Sequence, residues 1–274
     1  MASSLKVSEA INLIKATQKT TDIFIPSLGR TAKFKHLTTG QQEKIVQSLI
    51  DSPATQSKFN ITLIDIIKEN IDDRTIINSL TIIDKYAIGV GLRVCSVGNI
   101  LKTEVESEPG IVYTVDLNQC NDYIKNRVNH TPFDEITIDE FSIGVTYPTM
   151  SHEYANEKYF KRDEVTMGDT AEGIRSIISN AFIGDAIMFI DYITINRLDG
   201  EPLKIEFKNI SLQDKLDIVR KLPNTIMEKL IDPMSIVKRQ IEGILKTIGV
   251  SESDDKIKRS ILITFDASFF ISTN

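Results

Sequence analysis

The sequence predicts an α+β protein, and three observations carry that prediction. Apolar residues recur at helical spacing in several separate runs, such as Ile45, Val46, Leu49 and Ile50. Just after Gly98 the period changes to the alternation of strands. Turn-forming clusters, Pro26-Ser-Leu-Gly29, Ser107-Glu-Pro-Gly110 and Asp199-Gly200, separate the runs. The expected architecture is an N-terminal hairpin and helices with a central β-hairpin, followed by a mainly helical C-terminal part with short strands.

In chain order, residues 1–21 read as an N-terminal arm or short, weakly amphipathic helix, with Ile11, Leu13 and Ile14 among polar neighbours. From Asp22, Ile23-Phe24-Ile25 leads through Pro26 and Gly29 into Thr31–His36, the pattern of a hairpin. Thr38 or Thr39 then caps a helix that ends at Ser52-Pro53. A second helix is expected from Thr55 to Ile71, with Leu63, Ile64, Ile66, Ile67 and Ile71 on its apolar stripe. The third holds Ile82, Ile83, Tyr86, Val90 and Val94, with Gly98 as its C-terminal stop.

Ile100–Glu106 and Ile111–Val115 form the clearest hairpin signal, joined across Ser107-Glu-Pro-Gly110. Leu117–Val128 reads as a helix, and Ile136–Thr146 as a strand or a pair of strands. Ser151–Asp169 reads as a helix plus a connector, and Ile174, Ile177, Ile178, Ala181 and Phe182 mark an amphipathic helix. Ile190–Ile195 alternates as a strand, with Pro202–Phe207 returning as its partner. Ser211 caps a helix, and Pro223 begins another that runs to Asp232-Pro233. A further helix, from Ile236 through Ile248 to Gly249, would complete a helical hairpin or small bundle. After a charged linker at Ser251–Lys258, Ile261–Ile271 closes the chain as a strand or strand pair. The expected divisions are the arm at 1–21, an α+β domain at 22–149, a connector at 150–170, and a helix-rich domain with a terminal strand at 171–274.

Composition narrows the function classes. The 274 residues are 41% hydrophobic and 26% charged, near globular averages. A net charge of −6 argues against a nucleic-acid groove, which needs a basic face to displace counterions. The longest apolar run, Ala181–Ile195, is interrupted by Asp185 and Asp191, so no membrane span is expected. The start of the chain lacks the apolar core of a secretory signal. Two cysteines, Cys95 and Cys120, make no disulfide framework and read as packed thiols.

Catalytic and metal motifs fare poorly. His36, His130 and His152 are dispersed, and His152-Glu153 fails as a zinc-protease motif because Asn156 stands where the second histidine belongs. Gly89-Val-Gly91 lacks the third glycine and the preceding strand of a dinucleotide fingerprint. These glycines read instead as small residues that let another backbone approach. Paired carboxylates at Asp72-Asp73, Asp134-Glu135, Asp139-Glu140 and Asp254-Asp255 read as solvated turns. A hydrolase built on one of them is the competing reading, and an acidic regulatory binding protein is another. No catalytic, cofactor-binding or metal residue is assigned.

The most informative stretch is Asp84-Lys-Tyr-Ala-Ile-Gly-Val-Gly-Leu-Arg93-Val-Cys-Ser96-Val-Gly98. Asp84 and Arg93 lie on different faces of their helix, so each is expected to tie it to a different element. With Ile25-Pro26-Ser-Leu-Gly29, the Leu37-Thr-Thr39 helix entry, Val115-Asp-Leu117, Asp191-Tyr-Ile, the helix from Ser211 and Leu222-Pro223, this order resembles the baseplate hub and baseplate assembly proteins of T-even-type contractile-tailed phages. The resemblance spans about Asp22 to Ser235. It implies a hub subunit or hub assembly factor that acts through contacts with other hub or tail proteins, including the tape-measure protein, and performs no reaction. It also implies a location in the virion tail baseplate, or in the host cytoplasm during assembly. Some relatives carry paired cysteines in the central hairpin; Ser107-Glu-Pro-Gly110 stands there in this chain, so no zinc is expected. Asp84, Arg93, Gly98, Pro26 and Gly29 are the candidate structural or partner anchors.

Overall fold

A computed structural model describes residues 17–51, 56–105, 107–166, 182–197, 200–266 and 268–271, and the fold is α+β. The chain opens with β1 (Thr20–Ile25) and β2 (Arg30–Lys35), an antiparallel hairpin joined by a single 3-10 turn at Pro26–Leu28. Three helices follow: α1 (Thr39–Asp51), α2 (Ser57–Asn70) and α3 (Ile82–Ser96). Their boundaries fall close to those expected from the apolar spacing.

Two four-stranded antiparallel sheets complete the frame. One has the order β10-β9-β4-β3, from β3 (Ile100–Val105), β4 (Glu108–Asp116), β9 (Lys246–Ser251) and β10 (Lys258–Leu262). The other has the order β5-β6-β7-β8, from β5 (Ile136–Ile138), β6 (Phe141–Val145), β7 (Ile190–Ile195) and β8 (Leu203–Glu206). Both take strands from before and after the 150–170 stretch, because β4 pairs with β9 and β6 with β7. The remaining helices are α4 (Asn118–Arg127), α5 (Met150–Thr166), helical residues 182–188, α6 (Leu212–Val219) and α7 (Asn224–Leu245). The expected arm helix and most of the helix expected around Ile174–Phe182 lie outside the described residues.

At the centre is α3. Ten of its residues in succession, Ile83 to Arg93 apart from the half-buried Tyr86, are inaccessible to solvent, so the helix is enclosed on every side. Its first turn is closed by a capping box between Thr81 and Asp84. The Ile82 N–H, which has no partner within the helix, donates to the Pro148 carbonyl at 2.9 Å. Phe265, near the C-terminus, stacks on Phe269 and meets Phe59 edge-on, forming an aromatic plug against α2 and α3.

The last third departs from expectation in three ways. Residues 224–245 form one continuous helix through Pro233, where two helices separated at that proline were expected. An interior proline removes a backbone donor at a cost of about 3 kcal/mol. Here Pro233 is itself buried on the stripe made by Ile226, Leu230, Val237 and Ile244, so both halves bury the same face and the helix carries on. Residues 246–251, expected to extend a helix, are β9, with Thr247, Gly249 and Ser251 alternately buried. The expected linker at Ser251–Lys258 is the loop of the β9–β10 hairpin, and β10 lies earlier than the terminal strand foreseen at Ile261–Ile271. In this region Ile241, Ile244, Leu245 and Ile248 satisfy a helical period, and pairing with β4 decides against it.

The two glycines of α3 serve close packing against side chains rather than a neighbouring backbone. A Cβ on Gly89 would sit 2.7 Å from Cε2 of Phe265, and one on Gly91 would sit 2.7 Å from Cγ2 of Ile23. By contrast, Gly40 in α1 has open space where a Cβ would go. Gly91→Ala is therefore expected to destabilise the protein by about 1–3 kcal/mol through overpacking, despite alanine's better helix propensity. Gly40→Ala is expected to be neutral or to stabilise by up to about 1 kcal/mol. Urea unfolding of both variants checks the contrast, and a Gly91→Ala protein as stable as the parent would contradict it.

Candidate functional site

The hairpin is strapped to α3 at both ends. Pro26 starts the 3-10 turn, and Gly29 ends it in the left-handed region at φ +60°, its N–H donating to the Pro26 carbonyl at 3.3 Å. This turn presents the Ser27 N–H to Oδ1 of Asp84 at 3.0 Å. The other carboxylate oxygen of Asp84 accepts from the Thr81 N–H at 2.7 Å and the Thr81 hydroxyl at 2.9 Å. A fully buried carboxylate with three donors is compensated without any cation.

The opposite end of α3 uses the same logic with the sign reversed. The buried Arg93 guanidinium donates to the carbonyls of Gly98 and, at 3.1 Å, Ile100. Gly98 adopts φ +123° and returns its N–H to the Arg93 carbonyl at 3.2 Å. Ser96 Oγ accepts the Leu37 N–H at 2.8 Å, which fixes the chain leaving β2. Pro26, Gly29 and Asp84 thus meet at one end of the helix and Arg93 and Gly98 at the other. Asp84 and Arg93 do not touch each other.

A third charge in α3 organises a separate cluster. Lys85, also fully buried, donates to Oε1 of Glu153 at 2.6 Å and to Oδ1 of Asn60 at 2.9 Å. The Asn60 amide nitrogen then donates to Oε1 of Glu157 at 2.8 Å. One network therefore pins α2, α3 and α5 together. Burial pulls the Lys85 ammonium down, but Glu153, the adjacent Tyr86 and Glu157 outweigh it and hold its pKa above the ordinary lysine value. Glu153 keeps its second oxygen buried without a hydrogen-bond partner among the described residues. Asp185, on helical residues 182–188, retains solvent along its side chain yet is crowded by protein. Burial, then Glu157 and Glu153, push its pKa up to about 6.

The residues weighed for chemistry lie elsewhere. Asp73 caps the 3-10 turn at Arg74–Ser79, and Glu135 accepts from the Tyr192 hydroxyl at 2.5 Å. Asp134, Asp139, Glu140, Asp254 and Asp255 are exposed on loops and turns. His36 shares a 2.7 Å hydrogen bond with Thr21, and His130 stacks on Tyr147 with ring centroids 3.7 Å apart. Cys120 is buried, and its thiol is pushed up to about 12 by desolvation, which makes it a poor nucleophile. Among the described residues no cluster of His, Cys, Asp or Glu could hold a metal ion, and no helix is long and apolar enough to cross a membrane.

A family model described as T4 bacteriophage base plate protein matches residues 16–247, most of the chain and all of the strapped hairpin and the lysine network. The chain belongs to this T4 baseplate family. No curated protein and no solved structure matches it. Membership gives the protein a role in the phage baseplate, among proteins of the virion tail.

The sequence singled out Asp84 and Arg93 and missed Lys85, the charge next to Asp84. Lys85 stands three and seven residues before Ile88 and Leu92, so a lysine on an apolar stripe was the available signal. Its partners Asn60, Glu153 and Glu157 carried none, because they come from helices distant in sequence. Lys85→Met is expected to destabilise the protein by about 3–5 kcal/mol, since Glu153 would stay buried without a cation. Adding Glu153→Leu is expected to recover more than half of that loss; strictly additive losses in urea unfolding would refute the coupling.

Asp185 gives a pH-dependent prediction of defined sign. Its folded pKa, about 6, is raised above the ordinary aspartate value of 3.8, so its contribution to stability is full below about pH 4 and lost as pH rises through 6. Asp185→Asn is therefore expected to raise Tm relative to the parent at pH 8 and to give a smaller gain at pH 4. Equal shifts at both pH values would show that the carboxyl is not perturbed.

Proposed function

We propose that this baseplate protein is a component of the hub, as a subunit or as an assembly factor, and that it works by protein–protein contact rather than by turnover. Its partners in this reading are other hub or tail proteins, including the tape-measure protein. The family match over residues 16–247 carries the reading. Surface character supports it as well. Ile100, Ile248 and Leu262, from β3, β9 and β10, are 47%, 51% and 55% exposed. Strand register puts them on the same outer face of their sheet, where Lys102 and Glu252 pair at 2.8 Å. Apolar side chains from three strands beside an ion pair are the composition of a contact surface.

Quantitative mass spectrometry of purified tails tests the proposal, alongside infection with a phage lacking the chain. A hub subunit is expected at a fixed ratio to other baseplate proteins. An assembly factor is expected to be absent from mature tails while hubs fail to form without it. Normal hubs in its absence would reject both forms.

A further inference from the structure

A groove of about 520 Å³ lies between α3, helical residues 182–188 and α7, with Glu153 of α5 in its wall. Its apolar surface is contributed by Ile82, Tyr86, Met188, Met234 and Ile241, all half-buried, while Phe182 and Ile231 stand exposed on the rim. The α7 residues that line it run from Ile231 to Glu242, about 16 Å at 1.5 Å per residue. That length suits two to three turns of a helix laid along it better than a compact ligand.

The charges in the groove are unbalanced. Among the described residues its acids are Glu153, Asp185 and Glu242; Lys85 pairs with Glu153 from inside the fold and Lys238 lies 4.0 Å from Glu242, which leaves Asp185 without a cation. The Glu153 oxygen that does not meet Lys85 has no donor among the described residues, although its atom is buried. Desolvation, reinforced by Glu157 and Glu153, disfavours the charged form of Asp185, a penalty that an incoming cation would relieve. Phosphate is the wrong sign for this lining, so nucleic acid is excluded as an occupant.

We propose that this groove docks a basic, amphipathic helical segment of another baseplate protein, with its apolar side chains against Tyr86, Met188 and Met234 and a Lys or Arg reaching Asp185 and Glu153. The two methionines supply an apolar floor that adjusts to its occupant. The acidic wall selects for positive charge and steers encounter. This inference rests on the hub reading for the source of the segment, and on the groove itself for the segment's chemistry.

The test uses the full chain and an amphipathic peptide with Leu and Lys at helical spacing, read by fluorescence anisotropy. A Leu/Glu peptide of the same pattern is the control. Binding of the Leu/Lys peptide is expected, weakened about tenfold or more by Asp185→Lys and by Met234→Lys and unchanged by Asp254→Lys on a distant loop. Circular dichroism establishes that each variant is folded, and Asp185→Asn, which keeps the side chain's shape, is expected to weaken binding to a smaller degree. Equal binding of both peptides, or equal loss in the Asp254→Lys control, would overturn the proposal. As a second measurement, a photo-crosslinker at residue 231 in infected cells is expected to capture a tail-protein segment rich in Lys or Arg and apolar residues. Capture of an acidic segment, or of residues 167–181 of the same chain, would also overturn it. A chain required for hubs that ignores the peptide rejects the groove alone, and a chain that binds the peptide but is dispensable for hubs rejects the hub reading alone.

Discussion

A helix enclosed on every side cannot leave a charge uncompensated, and α3 carries three of them. Asp84, Lys85 and Arg93 are each withdrawn from water, and an unpaired ion in such a place costs several kcal/mol. Each solves the problem differently. Asp84 recruits backbone and hydroxyl donors, Arg93 recruits carbonyls, and Lys85 recruits a carboxylate and an amide oxygen. Because the partners come from the β1–β2 turn, the start of β3, α2 and α5, satisfying these charges positions most of the first half of the molecule. The hydrophobic core provides the driving force, and the three charges specify which surfaces meet.

Close packing supplies the rest of the specification. Gly89 and Gly91 open two notches on α3, one filled by Phe265 from near the C-terminus and one by Ile23 from the first strand. The same helix thereby touches both ends of the described chain. Strand pairing binds the halves again, since β4 and β6, formed before α5, take β9 and β7 from after it. Arg259 on β10 reaches across β9 to Glu108 on β4 at 2.6 Å, where Tyr113 also donates to the carboxylate. Such cross-strand ties at an exposed sheet are individually small, yet they fix the register of an edge strand.

For a baseplate protein, this construction separates scaffold from surface. The ionic groups of α3 are turned inward and consumed by the fold, so the proposed recognition surfaces are those that face outward: an apolar-bearing sheet face and the acidic groove beside α7. Desolvation of Asp185, with Glu157 and Glu153 nearby, makes its negative charge beside that groove a cost to stability. A rigid interior with a locally unfavourable surface is the arrangement expected where affinity for a partner relieves the strain.

By itself the sequence determined the local elements: the hairpin around Pro26 and Gly29, three helices with their apolar stripes, the capping residue Ser211, the stop at Gly98 and the turn between β3 and β4. These depend on neighbours within a few residues, where dihedral preference, capping chemistry and hydrophobic period act directly. It also pointed to Asp84 and Arg93 as anchors in different directions, because their spacing forbids a mutual pair. Only the tertiary structure decided that residues 224–245 pass unbroken through Pro233, that residues 246–251 leave the helical period for a strand, and that Lys85 joins Asn60, Glu153 and Glu157. In each case the deciding energy is a contact between segments far apart in the chain: burial of one continuous stripe, hydrogen bonds to β4, or compensation of a buried ammonium. Such long-range terms leave at most an ambiguous mark in the local pattern, as the helical spacing of Ile241, Ile244, Leu245 and Ile248 demonstrates.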